Sequence, residues 1–151
     1  MRHRVRAAAI IIDEAKLLLV KHIHPVTGEV WWVPPGGGME AEDDSLISCA
    51  KRETWEETGY HIDVDPNPVF VREYLDRAAA VLHLEIYFPA RITGGSLTIA
   101  NVPPEAEDIA YIVDARWLSL SEVAGIQMYP EQLRHSFELQ QRTTYLGRQS
   151  S

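Results

Sequence analysis

The chain has 151 residues, 46% hydrophobic and 24% charged, with a formal net charge of -8. That length suits one domain with a buried core, residues 1–151, and the composition is globular rather than disordered. The negative charge argues against a nucleic-acid or membrane-surface binder, which would be basic, and a single cysteine, Cys49, excludes an internal disulfide.

Arg2, Arg4 and Arg6 before the apolar run Ala7 to Ile12 imitate the opening of a signal peptide, but the run is short and Asp13 and Glu14 interrupt it. No stretch approaches the roughly 20 apolar residues of a membrane span. The expectation is a soluble, cytoplasmic protein with no DNA-binding surface and no membrane partner; a homodimer is compatible with this reading.

In chain order, Arg4 to Ile12 reads as a strand, Asp13 to Ala15 as a turn, and Lys16 to His22 as the returning strand. The continuous LLLV within it predicts burial on both faces. His24 to Gly28 is a loop by its Pro and Gly content, Trp31 to Val33 is short and apolar, and Pro34-Pro35 stops it before Gly36, Gly37 and Gly38. Ser45 is the expected N-cap of a helix over Leu46–Thr58, with Gly59 as its stop and Ile47, Ala50 and Thr54 as a stripe facing the sheet. His61 to Val64 and Val69 to Tyr74 read as extended, separated by the turn Asp65 to Pro68. Ala78 to Ile92 is the longest β-like run, and Gly94-Gly95 turns it back. The acidic loop Val102 to Asp108 leads into an extended Ile109 to Leu118. Glu131 to Arg142 reads as a C-terminal helix followed by a frayed tail. This order predicts an α+β fold with a mixed β-sheet between helices.

On that central helix, residues three and four apart are neighbours, so Glu53, Glu56 and Glu57 place three carboxylates on one face. Lys51 and Arg52 are too few to neutralise them. Carboxylates are hard ligands suited to Mg²⁺ or Mn²⁺, which bridge to substrate phosphates, and a bound cation would let an acidic protein hold an anionic substrate. From the triplet alone, an ordinary solvated acidic face is the competing reading.

The surroundings of the triplet change the balance. The stretch Trp31 to Tyr60, WWVPPGGGMEAEDDSLISCAKRETWEETGY, resembles the Nudix hydrolase family, whose box is written G-x5-E-x7-R-E-U-x-E-E-x-G-U with U aliphatic. Gly38, Arg52, Glu53, Glu56, Glu57 and Gly59 fall at the required spacings, and Ala115 to Val123 (ARWLSLSEV) is similar to a segment many members carry. There are departures. Asp44 replaces the first glutamate, the preceding loop Met39 to Asp43 lacks its usual glycine and is one residue longer, and Thr54 and Tyr60 stand at aliphatic positions.

The resemblance implies an α/β/α sandwich and a Mg²⁺-dependent pyrophosphohydrolase (Mn²⁺ as the substitute ion) acting on a nucleoside diphosphate linked to another moiety. The partner is then a small phosphorylated molecule. It assigns the metal to the Gly38 carbonyl, Glu53, Glu56 and Glu57, has Arg52 orient the glutamates and an Asp44–Arg52 pair hold the loop, and leaves the general base to Glu57 or to the cluster Glu105, Glu107 and Asp108. The alternatives are a catalytically weakened nucleotide-binding or sensor module and an acidic interaction protein.

Other residues carry weaker signals. His22 and His24 sit two apart at a strand end, without a third soft ligand. Trp31, Trp32, Tyr74 and Phe88 could stack on a base or fill the core. Tyr74 lies near a tyrosine of the diadenosine polyphosphate hydrolases. Arg72, Arg77 and Arg91 could meet a phosphate or sit on the surface. Cys49 is expected as a small buried residue.

Overall fold

The computed structural model describes residues 1–151. Its elements are strands β1 (Arg2–Asp13), β2 (Lys16–Ile23), β3 (Val30–Val33) and β4 (Gly36–Gly38), helix α1 (Leu46–Thr58), strands β5 (Tyr60–Val64), β6 (Phe70–Asp76), β7 (Val81–Gly95) and β8 (Ile112–Ser119), the short helix α2 (Leu120–Val123), a 3-10 turn at Glu131–Arg134, and β9 (Thr144–Ser150). All nine strands join one mixed sheet. β1 is its centre, paired in parallel with β7 from Arg2↔Val81 to Ile11↔Ala90 and antiparallel with β4 and with β2. β2 pairs antiparallel with β3 and β8, and β7 with β5 and β6. No helix is long and apolar enough to cross a membrane.

The two-residue period of the strands divides the core into two layers. Ala7, Ala9, Ile11, Leu18 and Phe88 point to one face, where Cys49 and Ala50 of α1 cover them. Ile10, Leu17, Leu19 and Tyr87 point to the other, beneath Val123, Met128 and Leu133. The LLLV run is therefore buried on both sides, and the helix–sheet–helix sandwich expected of the fold is present with a thin second layer.

α1 starts and stops where its sequence dictates. Ser45 accepts from the Ser48 N–H and the Ser48 hydroxyl accepts from the Ser45 N–H, closing a capping box. Gly59 ends the helix with φ of 78°, donating its N–H to the Trp55 carbonyl. Ala50 and Thr54 are fully buried, and Thr54 packs like valine because its hydroxyl donates to the Ala50 carbonyl at 2.7 Å. Ser45→Ala is expected to cost about 1 kcal/mol of unfolding free energy, read by urea denaturation.

Several boundaries and two whole elements differ from expectation. Gly36–Gly38 is a strand on β1 rather than a simple turn, the long run begins at Val81 after a turn through Ala80 (φ 55°), and Ile109–Tyr111 precede β8 as turn. The expected helix Glu131 to Arg142 is only the 3-10 turn Glu131–Arg134. Its continuation is diverted because the Ser136 hydroxyl accepts from the Glu138 N–H, a local bond that competes with helix, while Phe137 and Leu139 pack onto the core individually. The tail is not frayed. β9 pairs in parallel with β6, and Gln149 accepts from the buried Arg72 guanidinium.

Candidate active site

The register of β4 on β1 holds Gly36, Gly37 and Gly38 against the inner face of α1. A Cβ on Gly37 would fall 2.5 Å from the Glu53 carboxylate, so only glycine permits this approach. The Gly36 N–H donates to Glu57 Oε1 at 2.8 Å, which fixes that carboxylate. Glu53 and Glu57 are buried, at 8% and 2% exposure, and Glu56 lies beside them, its side chain 16% exposed.

Arg52 ties the cluster together. Its Nη1 donates to Glu53 at 3.0 Å and to Glu56 at 3.3 Å, and its Nη2 to the Gly38 carbonyl at 3.2 Å. Two more bonds go to Asp43, from Nε and Nη2, both at 2.9 Å, and Nη2 also donates to Cys49 Sγ at 3.9 Å. The Asp44–Arg52 pair does not form, and Asp44 is exposed. The reason is local: the Asp43 N–H donates to the Glu40 carbonyl and the Glu40 N–H to the Asp43 carboxylate, a closed turn that points Asp43 inward and leaves Asp44 to the approach to the N-cap. Hydrogen bonds from Arg52 hold the Asp43 carboxyl below the usual carboxylate range. Asp43→Ala should therefore cost about 1.5–3 kcal/mol, as loss of a charge-assisted pair does, whereas Asp44→Ala should stay within about 0.5 kcal/mol; urea unfolding of the two variants side by side checks this.

The carboxylates of α1 behave as an under-neutralised anionic site. Burial pushes the Glu53 carboxyl up to about 7, against the pull of Arg52. Burial, with repulsion from Glu53 and Asp108, raises Glu57 well above the ordinary carboxylate value, and burial also raises Glu56. Arg52 contacts Glu53 and Glu56 but not Glu57. Oxygen donors converging with excess negative charge fit a hard divalent ion such as Mg²⁺.

Of the loop acids, Asp108 is the one that reaches the cluster: donor atoms of His22, Glu57 and Asp108 lie within 4.8 Å of one another. A small apolar cluster of Val20, Val102 and Ile112 seats the loop on β2, and the Asp108 carbonyl accepts from the N–H groups of Tyr111 and Ile112. Glu107 is exposed and paired at 2.6 Å with Arg4, which keeps its carboxyl below the usual range; Glu105 is exposed. Arg4 itself overlies Gly38, where a Cβ would collide with its guanidinium.

The two histidines separate. His22 is buried and stacked on Trp31, centroids 5.3 Å apart, and burial lowers its pKa. His24 Nδ1 accepts from the Val26 and Thr27 N–H groups and so shapes the loop. Trp32 and Phe88 belong to the core. Tyr74 stacks on His83, and Arg72 sits between Tyr74 and Tyr129 while pairing with Glu85. Arg91 pairs with Asp63 on the surface, and Arg77 is exposed. Cys49 is buried, which raises its thiol pKa to about 11. The sequence carried no signal for Arg4 over Gly38.

These features are a mixed sheet sandwich and a glutamate-bearing helix packed on a glycine strand, and comparison with known proteins places the fold in the same family that the sequence resembles. The NUDIX domain family matches residues 2–140, and the chain belongs to that family. Phosphatase NudJ of Escherichia coli (strain K12) is 40% identical over 55 residues, 36% of this chain and 34% of that protein, so the alignment spans about a third of this curated relative. Among solved structures, a NUDIX hydrolase from Nitrosomonas europaea superposes with a TM-score of 0.66 at 23% identity, covering 89% of this chain and 86% of that one. An ADP-ribose pyrophosphatase from Streptococcus suis gives a TM-score of 0.60 at 18% identity, covering 94% and 98%.

Proposed function

We propose that this Nudix hydrolase cleaves the pyrophosphate bond of a nucleoside diphosphate linked to another moiety, with Mg²⁺ bound at the α1 carboxylates and Mn²⁺ able to replace it. The observation that supports the reading is that Glu53, Glu56 and the Gly38 carbonyl gather around the single cation Arg52, with Glu57, one helical turn from Glu53, held on the Gly36 N–H. Those four groups would hold the ion, which would shield the phosphates and polarise them. Arg52, anchored by Asp43, orients Glu53 and Glu56. In the reaction a water oxygen bonds to phosphorus, the bridging P–O bond breaks, the departing phosphate keeps the bridging oxygen, and the water's proton passes to a carboxylate.

Glu57 is the base best suited to that proton. It is fixed by Gly36 beside the other α1 carboxylates, where a bound ion would keep it ionised, whereas Glu107 is engaged by Arg4 on the exposed loop. Glu105, on the exposed part of the loop, has no comparable anchor. The name of the Streptococcus suis relative, an ADP-ribose pyrophosphatase, fits this bond class, and that of the Escherichia coli relative, a phosphatase, fits hydrolysis at phosphorus more broadly. The test is a hydrolysis screen over dNTPs, NTPs, ADP-ribose, dinucleoside polyphosphates, nucleotide sugars and capped RNA, with Mg²⁺ and with EDTA. Mg²⁺-dependent release of a phosphorylated product, lost in Glu56→Gln, is the expected result. Full activity in EDTA, or undiminished rates in Glu56→Gln, would refute the assignment.

A further inference from the structure

His22 enters from β2, outside the helix that carries the glutamates, and its imidazole is held in a single orientation. Trp31 stacks on one face, and Nδ1 lies 3.3 Å from the Val20 carbonyl. A carbonyl only accepts, so the proton sits on Nδ1 and the Nε2 lone pair is left free. That is the arrangement in which metal-bound histidines are found, with one ring N–H on a carbonyl and the other nitrogen on the ion. Facing His22 are two further acceptors, with Arg6 near enough to act on His22 and Glu57 through its charge but hydrogen-bonded to neither. Glu57 spends Oε1 on the Gly36 N–H and has Oε2 free, while Asp108 arrives from the loop seated by Val102 and Ile112. The ion pairs of Arg52 go to Asp43, Glu53 and Glu56, leaving Glu57 and Asp108 without one.

Three acceptors, two of them more than nine-tenths buried, with donor atoms within 4.8 Å of one another, require a cation or a proton between them. Ligands on opposite sides of one ion with bonds of about 2.0–2.2 Å stand at most about 4.0–4.4 Å apart, so a single ion would draw these three side chains inward by a few tenths of an ångström. We propose that His22, Glu57 and Asp108 form a second cation position, distinct from the oxygen-only position of Gly38, Glu53 and Glu56, that selects a borderline transition-metal ion such as Mn²⁺ or Zn²⁺ through the imidazole nitrogen. Mg²⁺ prefers carboxylate and water oxygens, whereas imidazole favours the transition metals. Glu57 then bridges two positions of different chemistry, and the enzyme distinguishes its ions by place. The inference rests on the metal-dependent reading of α1 only in sharing Glu57.

The full chain loaded with Mn²⁺ is examined by electron spin-echo envelope modulation, with calorimetric titrations of Zn²⁺, Mn²⁺ and Mg²⁺ into wild type, His22→Ala and His22→Gln. Imidazole-nitrogen modulation is expected in the wild type and absent from His22→Ala. Zn²⁺ and Mn²⁺ affinity should fall by about tenfold or more in the variants, with Mg²⁺ affinity unchanged. Absence of nitrogen modulation in the wild type overturns the proposal whether or not the variants fold. So does modulation that survives in His22→Ala, or an equal loss of Mg²⁺ and Mn²⁺ binding, which would make His22 a support for Glu57 and nothing more. The reading of the α1 site fails separately, if Glu53→Gln and Glu56→Gln bind Mg²⁺ as the wild type does.

Discussion

Glu57→Gln should lower kcat by about 10²–10⁴-fold, the usual contribution of a general base, while raising the stability of the metal-free protein. The two effects run in opposite directions for one reason. Glutamine keeps the amide oxygen that accepts from the Gly36 N–H, so the strand–helix contact survives. What disappears is a carboxyl group that is 2% exposed and lacks an ion pair, and that at pH 8 is either buried as a charge or kept protonated, each at a cost. An isolated buried charge is costly, and replacing it by a neutral group of the same shape relieves that cost. A role confined to packing would lower activity and stability together. The check is paired: steady-state kinetics with saturating Mg²⁺, and thermal unfolding in EDTA at pH 8. Lower stability than wild type in EDTA would show that Glu57 is neutralised in some other way, and an unchanged kcat would remove it from the reaction.

How far these residues could be read in advance depends on whether their partners are local. α1 was legible end to end, because Ser45, Gly59 and the spacing of Ile47, Ala50 and Thr54 are signals within one helix. The carboxylate face was legible for the same reason. The partner of Arg52 was not, since a one-residue choice between Asp43 and Asp44 is made by a turn whose closure depends on Glu40. Asp108 and His22 are 86 positions apart in the chain and meet only because β8 lies on β2, with the loop tucked beside Val20. Period-two and period-3.6 patterns carry no information about such a meeting. The C-terminal segment failed in the opposite way: Glu131 to Arg142 has helical composition, yet Ser136 offers its own backbone a competing bond and β6 offers the tail an edge to pair with.

The second large effect is on pH dependence. In the absence of metal, stability is expected to fall as pH rises above about 6.5, by roughly 1.4 kcal/mol per pH unit for each proton the folded site still holds. The sign follows from the direction of the shifts. Glu53, pushed up to about 7 by burial, and Glu57, raised well above the ordinary carboxylate value, bind protons in the folded state at a pH where the unfolded chain has released them. Their contribution is fully present below the unfolded carboxylate value of 4.5 and is lost as pH climbs through their folded values. His22 opposes this at lower pH, since burial depresses its pKa below 6.5 and folding then disfavours its protonation. Above that value the unfolded histidine is neutral too, so the glutamates set the slope, joined towards pH 8.5 by Cys49, whose buried thiol is raised from 9.0 to about 11 and acts in the same direction. Divalent ions compete with the same protons, and their stabilising effect should grow with pH and flatten the curve. Urea unfolding from pH 6.5 to about 8.5, in EDTA and in Mg²⁺, separates the two curves. Parallel curves would mean that the ion does not occupy the site the protons leave.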